Sequence, residues 1–175
     1  MAESTNMIVL KCMDDQQFTI SANIMRISSL INTFHDPEDT VIDTVQVPIP
    51  NVMGEVMVHI IYFCTQYNVE PILTIPKPLP KGIKRLDALI ASDKCRIIPD
   101  WAVRFGDMPE GFQVFNDIMH AAYYLDIQPL IDFGAAVIAM YLRTHNLDEI
   151  RTTLHMVDDL TPERKQEIIT RNTWL

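Results

Sequence analysis

The stretch "HAAYYLDIQPLIDFGAAVIAMYL", residues 120–142, decides how this chain is read. It divides at Gln128-Pro129. Proline has no amide hydrogen and a φ held at about −65°, so Pro129 suits the first residue of a helix and biases Gln128 away from one. Two helices are therefore predicted, the first stopping before Asp126. Asp132, in the first turn of the second, complements its dipole. In that second helix Leu130, Phe133, Val137 and Tyr141 make one apolar stripe, and Ile131, Ala135, Ile138 and Leu142 make another. Gly134, Ala136 and Ala139 fill the remainder. A helix that is apolar all round must be covered all round. Either the chain's own helices cover both stripes, or one stripe is a groove for a partner. The stretch alone leaves the two readings even, and ten methionines fit either adaptable surfaces or plain core.

Outward from this stretch the pattern stays helical in one direction. From Gly111 onward, "FQVFNDIMHAAYYL" leads into the break. "NLDEIRTTLHMV" (146–157) predicts a third helix with Asp148-Glu149 near its start. "TPERKQEIITRNTWL" (161–175) predicts a fourth, with Thr161 as N-cap, Pro162 first and Glu163 after it. In the other direction lies "EPILTIPKPLPKG" (70–82), whose four prolines predict an extended run without packed structure of its own. "RLDALIASD" (85–93) allows a helical turn or two within the connector beyond. The N-terminal part reads differently. "MIVLKCMDDQQFTIS" (7–21) alternates as a hairpin with Asp14-Asp15 at its turn. "ANIMRISSLINTF" (22–34) spaces Ile24, Ile27, Ile31 and Phe34 as a helix. "VQVPIP" (45–50) predicts a strand whose prolines suit an edge or an end. Asn51 is the expected N-cap of "VMGEVMVHIIYFCTQY", with Val52, Val56, Ile60 and Phe63 inward. Strands with helices, then helices only, indicate an α+β fold.

Composition narrows the function. The chain has 175 residues and a net charge of −9, which argues against a nucleic-acid binder. Residues 77–104 hold seven Lys/Arg against three Asp, a basic stretch without aromatic interleaving that reads as a solvated linker. No apolar run is long enough for a membrane span, and "MAESTNMIVLK" is not ordered as a signal peptide. Three scattered cysteines, Cys12, Cys64 and Cys95, suit reduced thiols in cytosol or nucleus. His35, His59, His120, His145 and His155 show no metal-ligand spacing, and no phosphate or dinucleotide loop occurs. The sequence thus predicts no cofactor, no metal and no enzyme. A Cys64–His59 pair is the one nucleophile arrangement to weigh, and a buried structural cysteine is the plainer reading. Asp14-Asp15 and Asp158-Asp159 read as turn and solvated-end residues.

Several blocks together resemble a known family. "VPIPNV" (47–52), "IIYFCT" (60–65), "IPDWAVRF" (98–105), "AAYYLDIQPLID" (121–132), "DEIRTTL" (148–154) and "RNTW" (171–174) are similar in order and spacing to the S-phase kinase-associated protein family, the small adaptors of SCF ubiquitin ligases. The resemblance implies a BTB/POZ fold followed by C-terminal helices. It divides the chain into an N-terminal POZ part (1–72), a Pro-rich, basic insertion (73–109) and a helical part (110–175) that completes the core and forms the extension. It also implies a non-catalytic bridge between an F-box substrate receptor and a cullin, in cytoplasm and nucleus. Family F-box contacts fall on Ile131, Ala135, Ile138, Leu142, Leu154, Met156 and Trp174, and cullin contacts on Tyr123 and Tyr124. Four of the F-box positions are the second stripe. A free chain could pair with a second copy through that same face. The resemblance departs at Tyr123, where the family usually has Asn, at Pro129 in place of Gly, and in the basic rather than acidic loop. These departures mark a divergent paralogue and leave an F-box chaperone that engages no cullin as the alternative, with a thiol-dependent enzyme further behind.

Overall fold

Alternation of apolar and polar residues builds the sheet. Met7–Cys12 (β1) pairs antiparallel with Gln17–Ser21 (β2), the expected hairpin, and parallel with Val45–Ile49 (β3). The strand order is β2-β1-β3. Leu10 stands opposite Phe18 on one side and Val47 on the other, and Cys12 opposite Ile49. Ile8, Leu10, Cys12, Val47 and Ile49 are all buried, so a slip of one residue would turn this set to solvent. Pro48 is exposed on the outer strand, where a missing donor costs least. The computed structural model describes residues 7–34, 45–69, 75–81 and 112–172. The readings at His35, "RLDALIASD", Cys95, "IPDWAVRF" and Trp174 lie outside them.

Helix α2 spans Gly54–Val69. Its start differs from expectation: Asn51 is not the cap. The amide of Gly54 donates instead to both carboxylate oxygens of Asp14, at 3.2 Å each, so the hairpin turn supplies the anion at the helix N-terminus. A side chain at position 54 would put its Cβ 2.3 Å from Gln16 Oε1. Val52, Met57, Ile60, Phe63 and Cys64 face the core.

Residues 22–34 do not form the continuous helix their spacing predicts. A 3-10 turn, Ala22–Met25, is followed by one short α-helical turn, Ser29–Asn32 (α1). The break is chemical. Ser28 Oγ accepts from the amide of Ile31 at 3.3 Å and donates to the carbonyl of Leu125 at 2.5 Å. A serine that bonds backbone in this way competes with the helical ladder. Here the fully buried hydroxyl fastens the N-terminal part to the C-terminal part.

The remaining helices are α3 (Phe112–Tyr124), α4 (Gln128–Thr144), α5 (Leu147–Thr153) and α6 (Pro162–Arg171). Phe115, Ile118, Ala121 and Ala122 of α3 join Leu130, Phe133, Val137 and Met140 of α4 in one buried cluster with α2 and the sheet. The expected α+β architecture is thus present. The α3–α4 corner is built by hydrogen bonds from Ile127 N to Ala122 O (2.9 Å) and Asp126 N to Tyr123 O (3.2 Å) around Asp126 at φ 51°. This is a Schellman ending, with an aspartate where glycine is commonest. Helix α4 begins at Gln128, one residue before the proline that signals it.

Candidate partner-binding face

The two stripes of α4 have different fates. Leu130, Phe133 and Val137 are buried, and Tyr141 is half-buried with its hydroxyl 2.6 Å from Thr153 Oγ1 of α5. Gly134 also faces inward, so close to α3 that a Cβ there would lie 2.1 Å from Met119 Sδ. On the other side, Ile131 and Ile138 are half-buried, while Ala135 and Leu142 are exposed. The chain's own core thus covers one stripe fully and the other only in part.

The open surface continues into the C-terminal segment. Helix α5 opens with a capping box: Asn146 Oδ1 accepts from Glu149 N at 2.9 Å, and Glu149 Oε2 accepts from Asn146 N at 3.0 Å. It ends at His155, φ 50°, in a second Schellman turn, with Met156 N bonded to Arg151 O at 2.8 Å. Thr161 caps α6 as predicted, accepting from Arg164 N at 3.3 Å. Neither α5 nor α6 has a buried residue. Helices this short are marginal alone, so their order rests on caps and on whatever covers them. Met156 is 57% exposed and Val157 87%, and Leu147 and Ile169 are open as well. Leu154 is half-buried. Val157 and Ile169 escaped the reading of the sequence. For Val157, two adjacent apolar residues in the otherwise polar "HMVDD" were the signal available.

Asp158 is more than a solvated end. Its carboxylate binds Arg151 at 3.3 Å and also Lys165, linking α5 to α6, and accepts from Leu160 N at 3.3 Å. Lys165 above all holds the Asp158 carboxyl below the usual carboxylate range. Tyr123, at the end of α3, is 79% exposed, whereas Tyr124 packs partly against the core.

Within the proline-rich run, residues 75–81 form neither helix nor strand, and they are anchored. Ile75 is buried, Lys77 Nζ lies 2.8 Å from Asp132 Oδ2, and Arg143 donates to the carbonyls of Leu79 (3.3 Å) and Pro80 (3.2 Å). Residues 77–80 are thus held against α4 at Asp132, which falls in its second turn rather than the expected first, and at Arg143 in its last.

The Cys64 candidate nucleophile is not activated. Burial pushes the Cys64 thiol up to about 12, away from the thiolate a nucleophile needs. Among the described residues no group of three or more His, Cys, Asp or Glu could hold a metal, and no helix is long and apolar enough to cross a membrane.

A three-stranded sheet under α2–α4, carrying a helical extension with an uncovered apolar side, defines a POZ-type interaction module. Family comparison agrees part by part: residues 6–69 match the Skp1 family tetramerisation domain and residues 128–175 the Skp1 family dimerisation domain. The chain belongs to the Skp1 family. It is 27% identical to the S-phase kinase-associated protein 1 homolog of Tetrahymena thermophila, over 99% of this chain and 96% of that protein. It is 29% identical to the E3 ubiquitin ligase complex SCF subunit sconC of Arthroderma benhamiae, over 98% and 96%. The suppressor of kinetochore protein 1 of Schizosaccharomyces pombe is 28% identical over 92% of each chain.

Proposed function

We propose that this protein is a non-catalytic adaptor of SCF-type ubiquitin ligases, joining an F-box substrate receptor to a cullin scaffold. One observation carries the reading: α4 is buried in the core along Leu130, Phe133 and Val137, whereas Ile131 and Ile138 are only partly covered and Ala135 and Leu142 are exposed. Relatives that bear the name of an SCF subunit match nearly the whole chain. The F-box lies on that stripe and on Leu154, Met156 and Trp174, and burial of each large side chain there contributes roughly 1.5–3 kcal/mol before the costs of association. Tyr123 and Tyr124 face the cullin.

Tyr123 also gives the alternative its footing, since an aromatic so exposed on that surface could suit a different partner. Gel filtration of the chain with a recombinant F-box domain and a cullin N-terminal domain separates the two. The adaptor reading predicts one peak containing all three. A binary F-box complex that leaves the cullin free selects an F-box chaperone instead.

A further inference from the structure

Asp132 and Arg143 stand eleven residues apart on α4, about 16 Å along the axis and on nearly one line, since eleven residues make close to three turns. The same line passes Ala136, which is buried, and Ala139, which is half-buried. The open stripe lies about 100° round the helix from this line, because Ile131, Ala135, Ile138 and Leu142 each precede a member of it by one residue. The strap from Lys77 to Pro80 follows the line. Four residues are too short to cover that length, and the two long side chains that anchor the strap make up the difference. One anchor is the Lys77–Asp132 ion pair. The other is the Arg143 guanidinium on the Leu79 and Pro80 carbonyls. On the far flank of the stripe, Tyr141 holds α5 through Thr153. The stripe is therefore bordered by the strap on one side and, near the last turn of α4 only, by α5 on the other.

The two walls differ in charge. Along the strap run Lys77, Lys81 and Arg143, all exposed, against one carboxylate, Asp132. The α5 wall begins with Asp148 and Glu149. We propose that the strap is a wall of the partner groove and a specificity element. It favours an amphipathic partner helix whose apolar side meets the α4 stripe and whose edge toward the strap carries carboxylates. This rests on reading the stripe as the F-box face. It adds a contact that the α4–α6 residues do not supply and a charge pattern for the partner to match.

The test is the dissociation rate of a recombinant F-box domain with an acidic edge to its helix, measured at low and high salt on the full-length chain. Lys81→Glu leaves both anchors in place and reverses one exposed charge. It should speed dissociation about fivefold at low salt, an effect that fades near 0.5 M salt as screening closes in. Asp132→Asn removes the anchoring ion pair and should speed dissociation about threefold to tenfold. Thermal melting of both variants checks that the core persists, and Ile138→Asp serves as the control for the groove. Wild-type rates for both strap variants, with binding lost in Ile138→Asp, would overturn the strap and leave the groove reading standing. Unchanged binding in Ile138→Asp removes the groove reading and the strap with it.

Discussion

Ile138→Asp is expected to weaken F-box binding by more than about a hundredfold while the free chain stays folded. A hundredfold corresponds to about 2.7 kcal/mol, which loss of one buried isoleucine plus burial of an unpaired carboxylate exceeds. The free chain escapes that penalty because Ile138 is on the half-open side of α4. There an aspartate reaches water, and the opposite stripe still holds the helix in the core. Co-purification with an F-box domain, read beside a circular-dichroism melt, checks both halves. Retained binding, or loss of fold together with loss of binding, would remove the distinction between the two stripes.

Phe133→Ala should act through stability instead. Phe133 is 1% exposed and sits in the cluster that joins α4 to α3, α2 and the sheet. Truncation of a buried phenylalanine costs about 3–5 kcal/mol, because the lost transfer energy adds to a cavity that rigid neighbours fill only in part. That is a large share of the roughly 5–15 kcal/mol by which a domain is stable. Urea unfolding should show a lower midpoint with little change in slope. A midpoint near the wild-type value would mean that Phe133 does not join α4 to the core. Binding by the fraction that remains folded should be close to normal, the reverse of the Ile138→Asp pattern.

Much of this was legible in the sequence for physical reasons. Period-two alternation at 7–21 marked the hairpin, because that pattern survives only where one face is buried, and the prolines of 45–50 suited the edge strand found there. The double stripe of α4 announced an uncovered surface before any fold was in view. What escaped was tertiary. Ser28 broke a helix that spacing had made continuous, because its hydroxyl found Leu125, 97 residues away in sequence. The carboxylate of Asp14 took the place at the start of α2 that Asn51 was expected to fill as N-cap, since a hairpin turn can arrive where a neighbour in sequence need not. Four prolines signalled a run without helix or strand, as residues 75–81 are, but no local rule showed that Asp132 and Arg143 would hold it. Asp158 looked like a solvated turn residue until Arg151 and Lys165 closed on it from two helices. For the partner face, apolar residues at helical spacing were visible, whereas Val157 and Ile169 lie outside any long periodic run.

The central claim is that one stripe of α4 completes this chain and the other receives a partner. Methyl-resolved NMR on the full chain, with an F-box domain added to saturation, tests it most directly. The methyl signals of Ile131, Ile138 and Leu142 should shift or broaden strongly, while those of Leu130 and Val137 stay nearly in place. An F-box domain that binds and leaves Ile131, Ile138 and Leu142 unperturbed would contradict the account.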